Sequence, residues 1–290
     1  MTLAALLLQP FSEYGFMRRA LVATLALSLG SAPMGTLLVL RRMSLVGDAM
    51  GHALLPGAAL GFLIAGFSLP ALSMGGFFAA LAVALAAGFV TRTTSQREDA
   101  SFAAFYLIAL ALGVLMVSTQ GSSVDLMHLL FGTILAVDDA ALLLTASVAS
   151  VTLVVLAVIY RPLLVECLDP GFLRNVGGRG TLVHASFLVL TVTNLVAGFQ
   201  ALGTLMAVGL MMLPATAARF WAAEVWSLAA VAGVIAAISG FIGLLLSYHA
   251  QWPSGPAIVL VAGMAYLFSV AAGPRDGLLW RRLRRSHRKA

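Results

Sequence analysis

Long apolar stretches constrain the fold of this chain more than any other feature of its sequence. All but one approach the roughly 20 residues that a helix needs to cross a bilayer. They cover residues 20–40, 49–69, 71–90, 101–119, 140–160, 181–199, 201–218, 225–247 and 256–272. Only 10% of the 290 residues are charged, against about 25% in a soluble domain, so a soluble enzyme or a nucleic-acid-binding domain is excluded for the whole chain. The sequence predicts an all-α, polytopic bundle that forms one transmembrane domain over residues 1–290.

Two further segments are apolar without forming clear spans, and the first of them leaves the number of crossings at eight or nine. Residues 126–137 are apolar but only about half a span long, which favours a re-entrant or interfacial helix over a crossing. Residues 1–19 begin with an apolar run and are expected to form an interfacial lead-in to the first span.

Basic residues predict the orientation of the bundle. With nine spans and the amino terminus outside, 15 of the 17 Lys and Arg residues lie on the cytoplasmic side, leaving Arg18 and Arg19 outside. The C-terminus is then cytoplasmic, and residues 274–290 form a basic tail near anionic lipid rather than a nucleic-acid-binding segment. The sequence therefore predicts a multi-pass protein of the cytoplasmic (inner) membrane of a prokaryote.

The loops limit the class of function. No segment is long enough to form a soluble domain, and the phosphate-binding pattern G-x-x-x-x-G-K-[ST] is absent from the sequence. The chain is thus expected to be a pore or a transporter subunit and not an enzyme. If ATP drives transport, a separate chain must supply the ATPase.

Asp48 stands at the start of the second span, in GDAMGHALLPG, and is the exception among the acids, whereas the other ten, Glu98 and Glu166 among them, are expected in loops or at span edges. His52 follows Asp48 at i+4, so both side chains lie on one helical face. A carboxylate and an imidazole one turn apart can share a divalent cation, and an intramembrane carboxylate often marks a transport pathway. The alternatives are a structural Asp–His hydrogen bond and pairing of Asp48 with Arg41 or Arg42.

Other candidate ligands are weaker. His249 stands at the expected outer end of a span, where it could meet an incoming cation or could belong to an interfacial aromatic belt with Tyr248 and Trp252. The single cysteine, Cys167, excludes a site built from several thiolates. A metal site built from Asp and His side chains, without thiolates, suits zinc or manganese better than copper(I).

Several motifs resemble those of the zinc/manganese-type ABC transporter permeases. The most distinctive is RRMSLVGDAMGHALLPG at 41–57, and the others are REDA, LFGTIL, LDPGFLRNVG, LMAVGLMMLPATAA and SYHAQWPSGP, in that order along nearly the whole chain. One departure is Gln251-Trp252, where many relatives have an acidic residue before the Pro-Ser-Gly-Pro turn; His249 could substitute for it.

The resemblance implies a permease subunit of an importer, with a transported Zn²⁺ or Mn²⁺ and no stably bound cofactor. The implied partners are a second permease copy in a homodimer, a cytoplasmic ABC ATPase dimer, an extracytoplasmic metal-binding protein and membrane lipid. Asp48 and His52 carry over as metal ligands. Residues 161–180 are implied to be the cytoplasmic coupling segment, and its coupling residues carry over to Asp169, Pro170, Gly171, Phe172, Leu173 and Gly177. The alternatives are a permease for a metal chelate or cofactor and a secondary metal/proton transporter.

Overall fold

The computed structural model of the protein describes residues 3–66, 68–119, 137–169, 172, 175 and 180–280, and this part of the chain contains helices and turns but no strand. Its helices are α1 (Leu3–Glu13), α2 (Gly15–Leu40), α3 (Ser44–Ala65), α4 (Leu69–Thr93), α5 (Glu98–Thr119), α6 (Asp139–Leu168), α7 (Gly180–Leu202), α8 (Thr204–Ala218), α9 (Val225–Ala250) and α10 (Ser254–Ala272). The predicted half-length helix at 126–137 lies outside the described residues, apart from Val137.

Eight of the described helices are long and apolar enough to cross a membrane, namely α2 to α7, α9 and α10. The shorter α8 has 15 residues, or about 22 Å at 1.5 Å per residue. Gly203, whose positive φ of 87° suits glycine, separates α8 from α7. The predicted polytopic helical bundle is confirmed: among the described residues, eight helices have the length and composition of membrane spans, and α8 is a shorter apolar helix.

The helix ends gather at two ends of the bundle. At one end, Arg275 N donates to the Phe220 carbonyl at 3.0 Å, and the Arg41 and Glu98 side chains lie 3.7 Å apart. We call this the basic end, because Arg41, Arg92, Arg219 and Arg275 all lie there. At the opposite end, Arg19 pairs with Asp139 at 3.5 Å, and the rings of Tyr14 and Tyr248 are 5.7 Å apart. By the positive-inside rule, we expect the basic end to face the cytoplasm.

Glycines bring α3 and α4 into backbone contact. A Cβ atom added to Gly57 would lie 2.2 Å from the carbonyl oxygen of Gly75, and one added to Gly61 would lie 2.2 Å from that of Ala71. Small residues at such positions allow membrane helices to approach closely and gain van der Waals contact. The helix that carries Asp48 and His52 is thereby held firmly against α4.

Glu166 lies at a span edge, as expected of the acids other than Asp48, but within a helix rather than in the inner segment predicted for 161–180. Helix α6 continues eight residues beyond the predicted span, to Leu168, and Glu166 lies in its last turn with a side chain that is only 1% exposed. The carboxylate is tolerated there because the Arg92 guanidinium, at the end of α4, donates to it. The connection between α6 and α7 is therefore residues 169–179.

Candidate functional site

Asp48 and His52 lie side by side on α3, as their spacing predicts. His52 Nε2 is 3.6 Å from Asp48 Oδ1, and the two side chains are 41% and 59% exposed in the single chain. This separation is longer than the roughly 2.7–3.2 Å of a hydrogen bond. Both groups are therefore accessible and close enough together to contact the same ligand.

The alternative pairing of Asp48 with Arg41 is not what the structure shows. Arg41 Nη2 instead lies 3.7 Å from Glu98 Oε1, at the start of α5, and its guanidinium carbon lies 5.5 Å from the ring centroid of Phe187. Arg41 is directed toward α5 and α7. Its positive charge is thus engaged by another carboxylate.

A pocket of about 310 Å³ opens beside the two side chains. It is lined by Asp48, Gly51 and His52 of α3, by Thr204, Leu205, Val208 and Gly209 of α8, and by Val259 of α10. The absence of a side chain at Gly51 leaves room between α3 and α8, because a Cβ atom there would lie only 3.0 Å from Val208. The wall opposite Asp48 and His52 is largely apolar, so these two side chains provide the charge and the imidazole of the pocket.

Tyr106 is a residue of the site that sequence reasoning missed. Its ring stacks on the His52 imidazole with centroids 5.9 Å apart and an interplanar angle of 26°. Tyr106 lies on α5, two turns after Glu98, and its only sequence signal is a tyrosine within an otherwise apolar span. The contact restricts the orientation of the imidazole.

Pro56 affects the same turn of α3. It lies within the helix and has no N–H to bond the carbonyl four residues earlier, which belongs to His52. The backbone of His52 therefore lacks its normal helical donor, a feature common where transport helices line a pathway.

The donor set suits a divalent cation that must pass through. A carboxylate oxygen and an imidazole nitrogen are ligands for borderline metals. Among the described residues, no group of three or more His, Cys, Asp or Glu side chains is arranged to hold a metal ion. Two protein ligands supplemented by water would bind weakly enough to release the ion, as transport requires.

His249 lies apart from this pair. It stands in the last turn of α9, where its ring meets that of Tyr248 edge-on at 5.1 Å, and it is not among the residues that line the pocket. This environment fits the interfacial aromatic belt. Its proposed role as an outer ligand stays a prediction.

The predicted coupling residues are described only in part. The Asp169 carboxylate accepts a hydrogen bond from the Phe172 N–H at 2.9 Å, in the manner of a helix N-cap. The Phe172 side chain is exposed. Pro170, Gly171, Leu173 and Gly177 lie outside the described residues.

Comparisons with known proteins agree on one family of transport proteins. Residues 13–273 match the ABC 3 transport family. The chain is 31% identical over 276 residues to the manganese transport system membrane protein MntC of Listeria innocua, covering 95% of this chain and 97% of that protein. It is also 31% identical over 265 residues to the manganese import system permease protein ScaB of Streptococcus parasanguinis, covering 91% and 93%, respectively.

A solved structure shares the same fold. PsaBC from Streptococcus pneumoniae in complex with Fab contains a chain that superimposes with a TM-score of 0.82 at 27% identity, over 97% of this chain and 100% of that one. Together with eight spanning helices, bacterial relatives named as membrane and permease proteins identify a multi-pass transport subunit of a bacterial inner membrane. The chain belongs to the ABC 3 transport family.

Proposed function

We propose that this chain is the permease subunit of an ATP-driven importer of manganese, and that Asp48 and His52 bind the ion in transit. The observation that carries the proposal is the Asp48–His52 pair, 3.6 Å apart and accessible beside a pocket on a membrane-spanning helix. A charged side chain in this setting usually marks an ion pathway. The curated relatives named for manganese transport favour this ion over zinc.

The assembly follows from what this chain lacks and what its family implies. A phosphate-binding loop is absent from the sequence, so a dimeric cytoplasmic ATPase would supply the energy. Two copies of this chain would form the permease, and an extracytoplasmic metal-binding protein would deliver the ion. The coupling segment would begin at Asp169, and the exposed aromatic side chain of Phe172 would dock on the ATPase.

The test is uptake of radioactive manganese by vesicles that contain the chain and its ATPase. We expect Asp48→Asn and His52→Gln each to reduce ATP-dependent uptake to background, because the first removes the negative charge and the second removes the imidazole nitrogen, while both approximately keep the size of the side chain. Asp139→Asn is the matched control, since Asp139 is an exposed acid of α6 that pairs with Arg19 at the opposite end. Normal uptake by both site variants would refute the assignment.

The same vesicles separate the alternatives. Uptake that proceeds without nucleotide would indicate a secondary metal/proton transporter. Inhibition by a metal chelate but not by free metal would indicate a chelate permease. Competition between unlabelled zinc and manganese would identify the preferred ion.

A further inference from the structure

Five charged or titratable side chains meet at the basic end, away from Asp48 and His52. We call them the charged cluster, and they are Arg41, Arg92, Glu98, Glu166 and His184. The Arg92 guanidinium bonds Glu166, while Glu98 Oε1 lies 3.7 Å from Arg41 Nη2 and 3.5 Å from His184 Nε2. The side chains of Glu166 and His184 are 1% and 4% exposed. The ends of α2, α4 and α6 and the starts of α5 and α7 are joined by this cluster.

Stability alone does not explain why charges are kept here. Removing two ions from water costs about as much as their attraction returns, and apolar side chains of similar volume are often equally stabilising. Moreover, among the described residues, Glu166 Oε2, Arg92 Nε and both ring nitrogens of His184 have no hydrogen-bond partner. Buried groups are normally satisfied, so these atoms could take other partners in a second arrangement of the cluster.

The charged cluster is also unsuited to a second cation site. Arg41 and Arg92 already lie beside Glu98 and Glu166, so an entering divalent ion would have to displace a guanidinium. In the part of the chain that the structure describes, no three metal-binding side chains converge. A role in the movement of helices fits this composition better than a role in ion binding.

Arg92 reaches both ends of the 169–179 connection. Its guanidinium bonds Glu166, three residues before Asp169, and its Nη2 and Nη1 lie 3.4 Å from the Gly180 carbonyl and the Thr181 hydroxyl, respectively. Gly180 and Thr181 are the first residues of α7. A single side chain at the end of α4 therefore holds the helices on both sides of the segment proposed to dock on the ATPase.

Two routes lead from the charged cluster to the metal pair. Helix α4 carries Arg92 and contacts α3 through the Gly57–Gly75 backbone approach. Helix α5 begins at Glu98 and places Tyr106 on the His52 ring. Packed helices transmit displacement because their contacts are not continuously deformable.

We propose that Arg92 and Glu166 form a latch that transmits movement of the 169–179 connection to the α3–α4 pair, and so couples ATP hydrolysis to the opening of the Asp48–His52 pathway. The two residues act as positioning residues, since neither touches the transported ion. The inference rests on the proposed function, because it assumes an ATPase that docks at the basic end.

The test measures manganese uptake and ATP hydrolysis in the same vesicles containing permease and ATPase. For Glu166→Gln we expect hydrolysis to be retained while the manganese transported per ATP falls by about tenfold, within the usual range of coupling between sites. The charge-reversed pair Arg92→Glu with Glu166→Arg should transport more manganese per ATP than either single reversal. Arg19→Gln is the matched control, because it breaks the exposed Arg19–Asp139 pair at the opposite end, and its coupling should be unchanged.

The outcomes separate the latch from a merely structural role and from the proposed function. The latch would be overturned if Glu166→Gln transports as much manganese per ATP as the wild type, or if it loses uptake and hydrolysis in parallel. If Glu166→Gln fails to assemble, the charge-reversed pair decides: coupling no better than in the single reversals overturns the latch. Failure of the wild-type complex to take up manganese with ATP would instead overturn the proposed function.

Discussion

Replacing Gly57 by alanine should destabilise the bundle, because the added methyl group has no room. Its Cβ would lie 2.2 Å from the Gly75 carbonyl oxygen and 2.5 Å from the Ala79 Cβ, where ordinary contact begins at 3.4 Å. The α3 and α4 backbones would have to separate locally by about 1.2 Å, the difference between 3.4 and 2.2 Å. The obstruction by Gly75 is backbone, so a change of rotamer cannot relieve it.

The expected cost lies at the upper end of the range for overpacked cores, about 3 kcal/mol. At roughly 2–4 °C per kcal/mol for chains of 150–250 residues, Tm should fall by about 6–12 °C. Cys167 supplies the assay, since it is the single cysteine of the chain and packs against the core. A thiol-reactive dye added to the detergent-purified protein would report its exposure during heating.

Gly263→Ala is the matched control, because nothing lies within 4 Å of a Cβ at that helical position. Its Tm should equal or exceed that of the wild type, since alanine has the higher helix propensity. If Gly57→Ala melts within 2 °C of Gly263→Ala, roughly the effect of 1 kcal/mol or less, the inferred α3–α4 backbone contact is refuted.

Two further substitutions test other contacts. Tyr106→Leu should lower manganese uptake by removing the ring that stacks on His52, whereas Tyr106→Phe should retain it; equal uptake by the two variants would contradict this role. Asn194→Ala should lower Tm by several degrees, because Asn194 Nδ2 donates to Thr152 Oγ1 at 2.7 Å and to the Leu190 carbonyl at 2.8 Å, and membrane hydrogen bonds contribute about 0.6–1.7 kcal/mol each. Ser147→Ala is the control, because it removes an exposed hydroxyl, and its Tm should equal that of the wild type. If Ser147→Ala lowers Tm as much as Asn194→Ala does, the loss cannot be assigned to the buried hydrogen bonds of Asn194.

Features set by local spacing were predictable from the sequence. The length of the apolar stretches predicted which segments form spans, because a helix needs about 20 residues to cross the bilayer. The i+4 spacing placed His52 beside Asp48, because both belong to the same helix. These inferences needed no knowledge of how the helices pack.

Features that depend on distant parts of the chain were not predictable in this way. Arg92 and Glu166 are 74 residues apart in sequence, so nothing near Glu166 indicates that its charge is neutralised. The predicted span ended at residue 160, so the last turns of α6, to Leu168, were missed. The approach of Tyr106 to His52 likewise depends on how α5 packs against α3.

The two sets of charges in the bundle differ in a way that bears on transport. Glu166 is almost fully buried and bonded to Arg92, so its charge is neutralised by a permanent part of the protein. Asp48 is more than half exposed, while Arg41, one of the two arginines just before its helix, lies beside Glu98. A carboxylate already held by an arginine would have to lose that partner before binding a cation, and a carboxylate buried without one would bind too tightly to release it. Exposure beside an imidazole nitrogen avoids both conditions, which is why Asp48 rather than the more deeply buried Glu166 is suited to receive and release an ion.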